Sequence, residues 1–308
     1  MRAIGVHNPG GPDQLEVLDL PVPEPGPGEL RIAVAAAAVN PTDTVLREGV
    51  RADELPRPLV PGMDAAGVVE AVGEGVELAP GDRVVAIVDP RTERGGAYAE
   101  QIVVPAASVA RIPEEMDLIA AATLPLNALT ARRALELMRV PPAGTIAVTG
   151  AAGAVGGYAI ELAKHTGLRV VADAKAEDVE LVESFGADVV LERGEGFPAA
   201  VAEREPGGVD ALLDAAVMGA VVLLAVRDGG VVACVRPFDG EPERDIDVYS
   251  VSPADYVQDG AGLAELVDLA ARGVLSLRVA RTFPAEDAPE AHRQLEAGRT
   301  RGRLVLTF

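Results

Sequence analysis

Short apolar runs alternate with polar turns through the first third of the chain. β-Branched runs at residues 30–34, 66–72, 83–88 and 101–104 are separated by Pro- and Gly-rich turns such as PVPEPGPGE and ELAPGDRV. This spacing predicts a compact barrel of short strands. An Ala- and Leu-rich helical stretch follows at 118–139, and from Gly144 the pattern changes. Apolar runs at 146–148, 169–173, 188–191, 209–213 and 230–235 alternate with helical stretches, as a doubly wound parallel sheet requires. The tail breaks that repeat. Leu263, Leu266, Val267, Ala270, Ala271 and Val274 share one helical face, residues 278–283 read as a strand, 286–296 as a helix and 303–308 as a strand. These pieces are expected to return to the first domain. The expected division is 1–118 plus 253–308 for one domain and 119–252 for the other, inserted between them.

The stretch GTIAVTGAAGAVGGYAIELAKHTGLRVVADAK organises the second domain. A β-branched run leads into a turn of Gly and Ala, then into a helix with Val155, Ala159, Leu162 and Ala163 at helical spacing, then into a second strand. This is a βαβ unit with its glycines at the crossover. Gly150, Gly153 and Gly156 lack Cβ atoms, so a diphosphate can approach the backbone while the helix N-terminus points its N–H groups at the phosphate. The turn residues Gly150, Ala152, Gly153, Ala154, Val155 and Gly156 are therefore the candidate cofactor cradle. The spacing is GxxGxxG rather than the commoner GxGxxG.

Composition narrows the partners. The chain has 308 residues, 49% of them hydrophobic, enough to bury a core in each of two domains. A net charge of −21 disfavours nucleic acid, which needs a basic stripe. The basic residues are almost all Arg, with Lys164 and Lys175 the only lysines. The single cysteine, Cys234, sits in an apolar run and reads as a core thiol. The start MRAIGVHNPGG has no signal-peptide core, and the apolar run 215–226 is too short to span a bilayer, so a cytoplasmic protein is expected.

Eight motifs in order carry a family resemblance: PVPEPGPGEL, VAAAAVNPTDTVLREG, VPGMDAAGVVEAVGEGV, PGDRVVA, GGAYAE, LPLNALTARRAL, VTGAAGAVGG and the terminal GRLVL. In this order and spacing the chain resembles the medium-chain dehydrogenase/reductase superfamily, most closely its zinc-free quinone oxidoreductases. The resemblance implies an α/β architecture: a Rossmann doubly wound parallel sheet inserted into a GroES-like β-barrel catalytic domain, with the active site in the cleft between them.

Where the zinc enzymes of that superfamily place a cysteine, this chain has Val39-Asn40-Pro41-Thr42-Asp43. Where they place Gly-His-Glu it has Gly62-Met63-Asp64. The four-cysteine lobe is absent and His7, His165 and His292 are scattered, so no metal site is expected. Without a metal to stabilise an alkoxide, simple alcohols are expected to be poor substrates. Quinones and α,β-unsaturated carbonyls delocalise the developing charge themselves.

By resemblance, Asn40 lies beside the nicotinamide and substrate and donates to a carbonyl oxygen; alternatively it caps the following turn. Thr130 matches a family threonine near the nicotinamide; alternatively it caps its helix. Asp43 is catalytic or bonds backbone amides in its loop. Tyr98 is expected in the barrel packing. Many relatives carry a tyrosine where this chain has Val45, which leaves water as the default proton donor.

Cofactor choice falls on the end of the second strand. Asp173 there would accept from a ribose 2′-OH and select NAD, whereas Lys175 would pair with the 2′-phosphate of NADP. The two share a strand face if the strand continues that far, and loop geometry decides between them. Arg193, after the third strand, adds a second cation, so NADP (NADPH) is the expected cofactor. The expected activity is NADPH-dependent reduction of a quinone or other conjugated carbonyl. An enoyl-thioester reductase and a catalytically idle NADPH-binding sensor are the alternatives. The segment 244–250 is expected to be a sheet edge that pairs with its twin in a homodimer, and loops 50–57 and 237–243 to shape the acceptor pocket.

Overall fold

Burial along Glu29–Ala38 alternates nearly residue by residue, so one face of that strand builds a core and the other meets neighbouring structure. It anchors the first of two compact units in a computed structural model that describes residues 1–49 and 57–308. Of the loop 50–57, only Arg57 is among the described residues. In chain order β1 (Arg2–Gly5) and β2 (Glu16–Asp19) form an antiparallel ribbon. Then come β3 (Glu29–Ala38), α1 (Pro41–Arg47), β4 (Asp64–Val72), β5 (Arg83–Ile87), β6 (Gln101–Pro105), β7 (Val109–Arg111) and α2 (Leu118–Ala121). The helix α3 (Pro125–Met138) leads to β8 (Thr145–Thr149), α4 (Ala154–His165), β9 (Arg169–Ala174), α5 (Val179–Ser184) and β10 (Val189–Glu192). Next are α6 (Phe197–Arg204), β11 (Val209–Asp214), β12 (Val226–Cys234) and β13 (Asp247–Ser250), then α7 (Gly260–Ala271), β14 (Val279–Pro284), α8 (Ala288–Ala297) and β15 (Arg303–Thr307).

The first unit comprises residues 1–126, 257–272 and 277–308. Its main sheet runs β14-β15-β3-β4-β5-β7, with β6 also paired to β3. The late strand β15 lies antiparallel to β3, matching Val305 to Ala38 and Thr307 to Ala36. Leu30, Ile32, Val69, Val84, Tyr98, Ile102, Leu304 and Leu306 share its core. The sequence pattern shows most of these strands but not β1, β2 or α1, which are too short to display a period.

The second unit, residues 127–256 and 273–276, carries a parallel sheet in the order β10-β9-β8-β11-β12-β13. Every adjacent pair is parallel, and the order reverses between β8 and β11. That is the doubly wound order 3-2-1-4-5-6, with its switch point at β8. One edge strand is β13, inside the expected 244–250 segment; the other is β10. The connection between β11 and β12 departs from expectation. The apolar run there forms a 3-10 segment, Gly219–Ala225, rather than an α-helix. Short apolar runs do not distinguish the two by periodicity alone.

Helix α4 shows how local sequence builds the site. Gly153 caps its start and Tyr158, Ala159, Ile160, Leu162 and Ala163 are buried. Lys164 and His165 complement the dipole in its last turn. Lys164 Nζ reaches back to Asp188 at 2.8 Å, tying the helix to the lead-in of β10. No helix among the described residues is long and apolar enough to cross a membrane.

Candidate functional site

Strand β8 delivers the chain to the carboxyl edge of the parallel sheet, where Gly150 turns it at φ +66°. Glycine takes that conformation without the strain that a Cβ would add. Gly153 N donates to Gly150 O at 2.9 Å, and the first i→i−4 bond of α4 runs from Gly157 N to Gly153 O at 3.1 Å. The amides of Ala154, Val155 and Gly156 precede that bond, as helix geometry dictates. Ala152 is buried, whereas Gly153 is exposed and Ala154 and Val155 half-buried, so the turn opens on their side. A Cβ on Gly156 would stand 2.4 Å from Gly150 O and 2.8 Å from Ala151 Cα. The helix can lie this close to the turn only because residue 156 is glycine.

Asp173, near the end of β9, is 1% exposed and faces this turn. Its Oδ1 accepts from Ala151 N at 2.9 Å, while the buried Oδ2 has no hydrogen-bond partner. Arg193 Nε lies 3.9 Å from Oδ2, and Arg193 N donates to Ala174 O. Asp173, the turn and Arg193 are thus together. Lys175 is not on the same strand face as Asp173, because β9 ends at Ala174 and Lys175 is the exposed residue opening the 3-10 turn Ala176–Asp178.

A feature that sequence reasoning missed lies on the same sheet edge. Asp214 ends β11 and accepts from Thr149 Oγ1 at 2.8 Å and from Met218 N at 2.8 Å. Beside it is a cavity of about 240 Å³ lined by Asp214, Val217, Met218, Cys234, Arg236 and Phe238, among others. Carboxyl ends of parallel strands are where such folds place ligands. Its sequence signal was an acidic residue closing an apolar strand. Residues 237–239 of the expected pocket loop 237–243 do line a cavity. Cys234 is buried there, and burial with the nearby Asp214 charge pushes its thiol up to about 12. Its labelling by a thiol-specific reagent at pH 7.5 is expected to be at least ~100-fold slower in the native protein than in urea.

Thr130 stands inside α3, so it does not cap the helix. Its Oγ1 is 2.7 Å from Tyr256 Oη, and both residues are buried. In the first unit Asn40 is fully buried and precedes α1. Its side-chain NH2 donates to Ala38 O at 3.2 Å and Asp64 Oδ2 at 2.8 Å, and its Oδ1 accepts from Arg303 Nη2. Both amide hydrogens are therefore engaged inside the protein. A role as donor to a substrate carbonyl needs one of them to be released.

Asp43 does bond loop amides. It accepts from Asn40 N at 2.8 Å, Gly62 N at 3.1 Å and Tyr98 Oη at 3.0 Å. Burial pushes its carboxyl up to about 7 against the bonds from Asn40 and Tyr98. Asp64 accepts from Leu126 N at 2.6 Å and Arg303 Nη2 lies 3.7 Å from its Oδ2, yet burial still raises its carboxyl above the ordinary range. Tyr98 is buried in the barrel core, and its hydroxyl also meets His292 Nε2 at 3.2 Å. Arg303 and His292 were not legible as partners of this loop. Among the described residues no three His, Cys, Asp or Glu side chains gather where they could hold a metal ion.

Comparison with known proteins places this geometry. Residues 26–114 match the alcohol dehydrogenase GroES-like domain, and residues 166–306 match the zinc-binding dehydrogenase family. The chain is 30% identical to a 2-haloacrylate reductase from Burkholderia sp, covering 99% of this chain and 98% of that protein. It is 35% identical over 206 residues to a chloroplastic NADPH-dependent alkenal/one oxidoreductase of Arabidopsis thaliana, covering 64% of this chain. That match spans only 52% of the Arabidopsis protein, and a match to a second Arabidopsis relative spans 62% of its length. A mycobacterial protein, Rv1454c, solved in complex with NADPH superposes with a TM-score of 0.87 at 33% identity, each chain covered in full.

Proposed function

The chain belongs to the medium-chain dehydrogenase/reductase superfamily, and from that premise we propose that it is a nicotinamide-dependent oxidoreductase that reduces a quinone or other conjugated carbonyl with NADPH. The observation that carries this reading is the turn from Gly150 to Gly156. Its backbone approach, admissible only with glycine at 156, leaves Gly153, Ala154 and Val155 facing outward at a helix N-terminus. Asp173 Oδ2 beside it receives no hydrogen bond, which suits a ribose 2′-OH and by itself favours NAD; the choice of NADPH rests on Lys175 and Arg193. When bound, the nicotinamide cofactor supplies a hydride, and the chain supplies binding and orientation.

Lys175 and Arg193 would hold the 2′-phosphate, with Asp173 competing for Arg193. A cation–phosphate hydrogen bond is worth roughly 1.5–3 kcal/mol. Lys175→Ala is therefore expected to raise KM for NADPH about 10-fold and to leave KM for NADH within about twofold, measured by cofactor oxidation. Equal changes for both cofactors would assign the phosphate elsewhere.

Zinc independence belongs to the proposal. It is supported by the hydrogen bond from Asn40 to Asp64, which ties together the two stretches, 39–43 and 62–64, that stand where the zinc enzymes carry Cys and Gly-His-Glu. Asn40 and Thr130 are proposed to flank the reacting groups, with water delivering the proton. Conjugated acceptors spread the incoming charge over their own π system and ask of the protein only hydrogen-bond donors. An idle cofactor-binding protein is favoured by one observation, the engagement of both Asn40 amide hydrogens. The exposed edge strand β13 is proposed as the surface on which a second copy extends the sheet.

The test is oxidation of NADPH and NADH against 9,10-phenanthrenequinone and a simple enone, with and without a chelator. NADPH turnover that persists with chelator is the expected result. Tight NADPH binding without turnover of any acceptor would replace the enzyme with the sensor.

A further inference from the structure

Inside the first unit a line of hydrogen bonds joins Asn40, proposed above to flank the reacting groups, to residues that the reduction does not itself use. It starts at Arg47 on α1, only 1% exposed, whose Nη1 is 3.2 Å from His292 Nδ1 on α8. His292 Nε2 is 3.2 Å from Tyr98 Oη, and Tyr98 Oη is 3.0 Å from Asp43 Oδ2. Asp43 then accepts the peptide N–H of Asn40 and, at its other oxygen, that of Gly62. The residues come from four stretches of sequence, and His292 and Arg47 are 245 positions apart.

The direction of these bonds follows from the one member that cannot change its role. A guanidinium only donates, so His292 Nδ1 must accept from Arg47. The imidazole proton then sits on Nε2 and points at Tyr98 Oη. The phenol proton is left for Asp43, which can only accept. Burial and the Arg47 charge press His292 down to about 3, so it stays neutral at ordinary pH and the direction holds.

We propose that Tyr98 is a positioning residue for the reaction: oriented by Arg47 through His292, it keeps Asp43 an acceptor and so holds the Asn40 peptide and the start of α1 in their working arrangement. This rests on the oxidoreductase reading given above. Asp64 and Arg303 face Asp43 from β4 and β15, and Glu48 and Glu296 pair with Arg47 at the far end. A proton added to Asp43 finds no acceptor along this line, because Oη already receives the Nε2 proton and directs its own to Asp43. Protonation therefore breaks the link to Tyr98 and loosens the loop. Activity should rise as Asp43 loses its proton near neutrality.

The test is Tyr98→Phe, which removes one hydroxyl and keeps the packed ring. Two readouts are taken: kcat for NADPH with 9,10-phenanthrenequinone from pH 5 to 9, and the titration of Asp43 by 13C NMR of labelled aspartate carboxyls, assigned with Asp43→Asn. The acid limb of kcat and the Asp43 titration should both move up by about one to two pH units, the loss of one bond to a carboxylate. NADPH affinity at pH 9 should stay unchanged. A limb that stays in place while kcat falls equally at every pH means ordinary packing and overturns the proposal. Wild-type protein without turnover at any pH would defeat the oxidoreductase reading instead. The NMR titration would then still decide the line of bonds, an unmoved Asp43 overturning it.

Discussion

Gly156→Ala is expected to weaken NADPH binding by about 10- to 100-fold while the protein still folds. The added Cβ meets only backbone, Gly150 O at 2.4 Å and Gly150 C and Ala151 Cα at 2.8 Å, so no side chain can swing aside. The start of α4 must move off the turn, which displaces the amides of Ala154 and Val155 from a shared phosphate. Losing one charge-assisted bond of roughly 1.5–3 kcal/mol gives the stated change in affinity. Overpacking itself costs about 1–3 kcal/mol of stability, within what a domain of this size tolerates. Fluorescence titration with NADPH, paired with a urea melt, separates the two effects. Unchanged affinity in a folded variant would remove the turn as the cofactor cradle.

The second large effect concerns stability against pH. Asp43, raised to about 7 in the folded protein from an ordinary value of 3.8, binds a proton that the unfolded chain has released. Its contribution to stability is fullest below about pH 4 and is lost as pH rises to 7. His292, lowered from 6.5 to about 3, releases a proton that the unfolded chain keeps. Its contribution is full above pH 6.5 and is lost as pH falls toward 3. Between pH 4 and 6.5 the slopes are opposite, each up to about 1.4 kcal/mol per pH unit, and they mask one another.

His292→Gln, whose amide can accept from Arg47 and donate to Tyr98, removes one slope and leaves the other. Relative to wild type, the variant should lose roughly 3–4 kcal/mol of stability between pH 4 and 7. Asp43→Asn should show the reverse trend. Urea unfolding of both variants and wild type at half-unit pH steps measures this. A His292→Gln difference from wild type that stays constant across the range would show that the two groups do not titrate as stated.

These two features differ in how far the amino acids announce them. The turn is local: strand, glycines and helix follow one another within twenty residues, and chain connectivity alone brings them together. The parallel sheet likewise follows from alternating βα units, although its strand order does not. Asp173 was legible as a candidate for the cofactor site, but not as a side chain turned back onto Ala151, because that depends on where β9 stops. Asn40 drew attention through the residues around it, while its engagement by Asp64 and Arg303 did not show. Arg303 is 263 positions away and is brought in by the pairing of β15 with β3. Isolated histidines spaced far apart suggest nothing in sequence, and His292 gained its partners only when α8 packed near α1. Long-range polar pairing has no periodicity to read.

That pairing of β15 with β3 also bears on how the protein is made. The ribosome completes all of β8 to β13 before β15 emerges, so the parallel-sheet unit can close while the other waits for a strand. At 5–20 residues per second, Asn40 spends roughly 15–50 seconds without Arg303. During that interval Asp64 lacks its guanidinium neighbour, and Ala36, Ala37 and Ala38 present an unpaired strand edge to other nascent chains. Slow translation of the last quarter of the message would lengthen this exposure, making synthesis speed a determinant of the yield of folded protein.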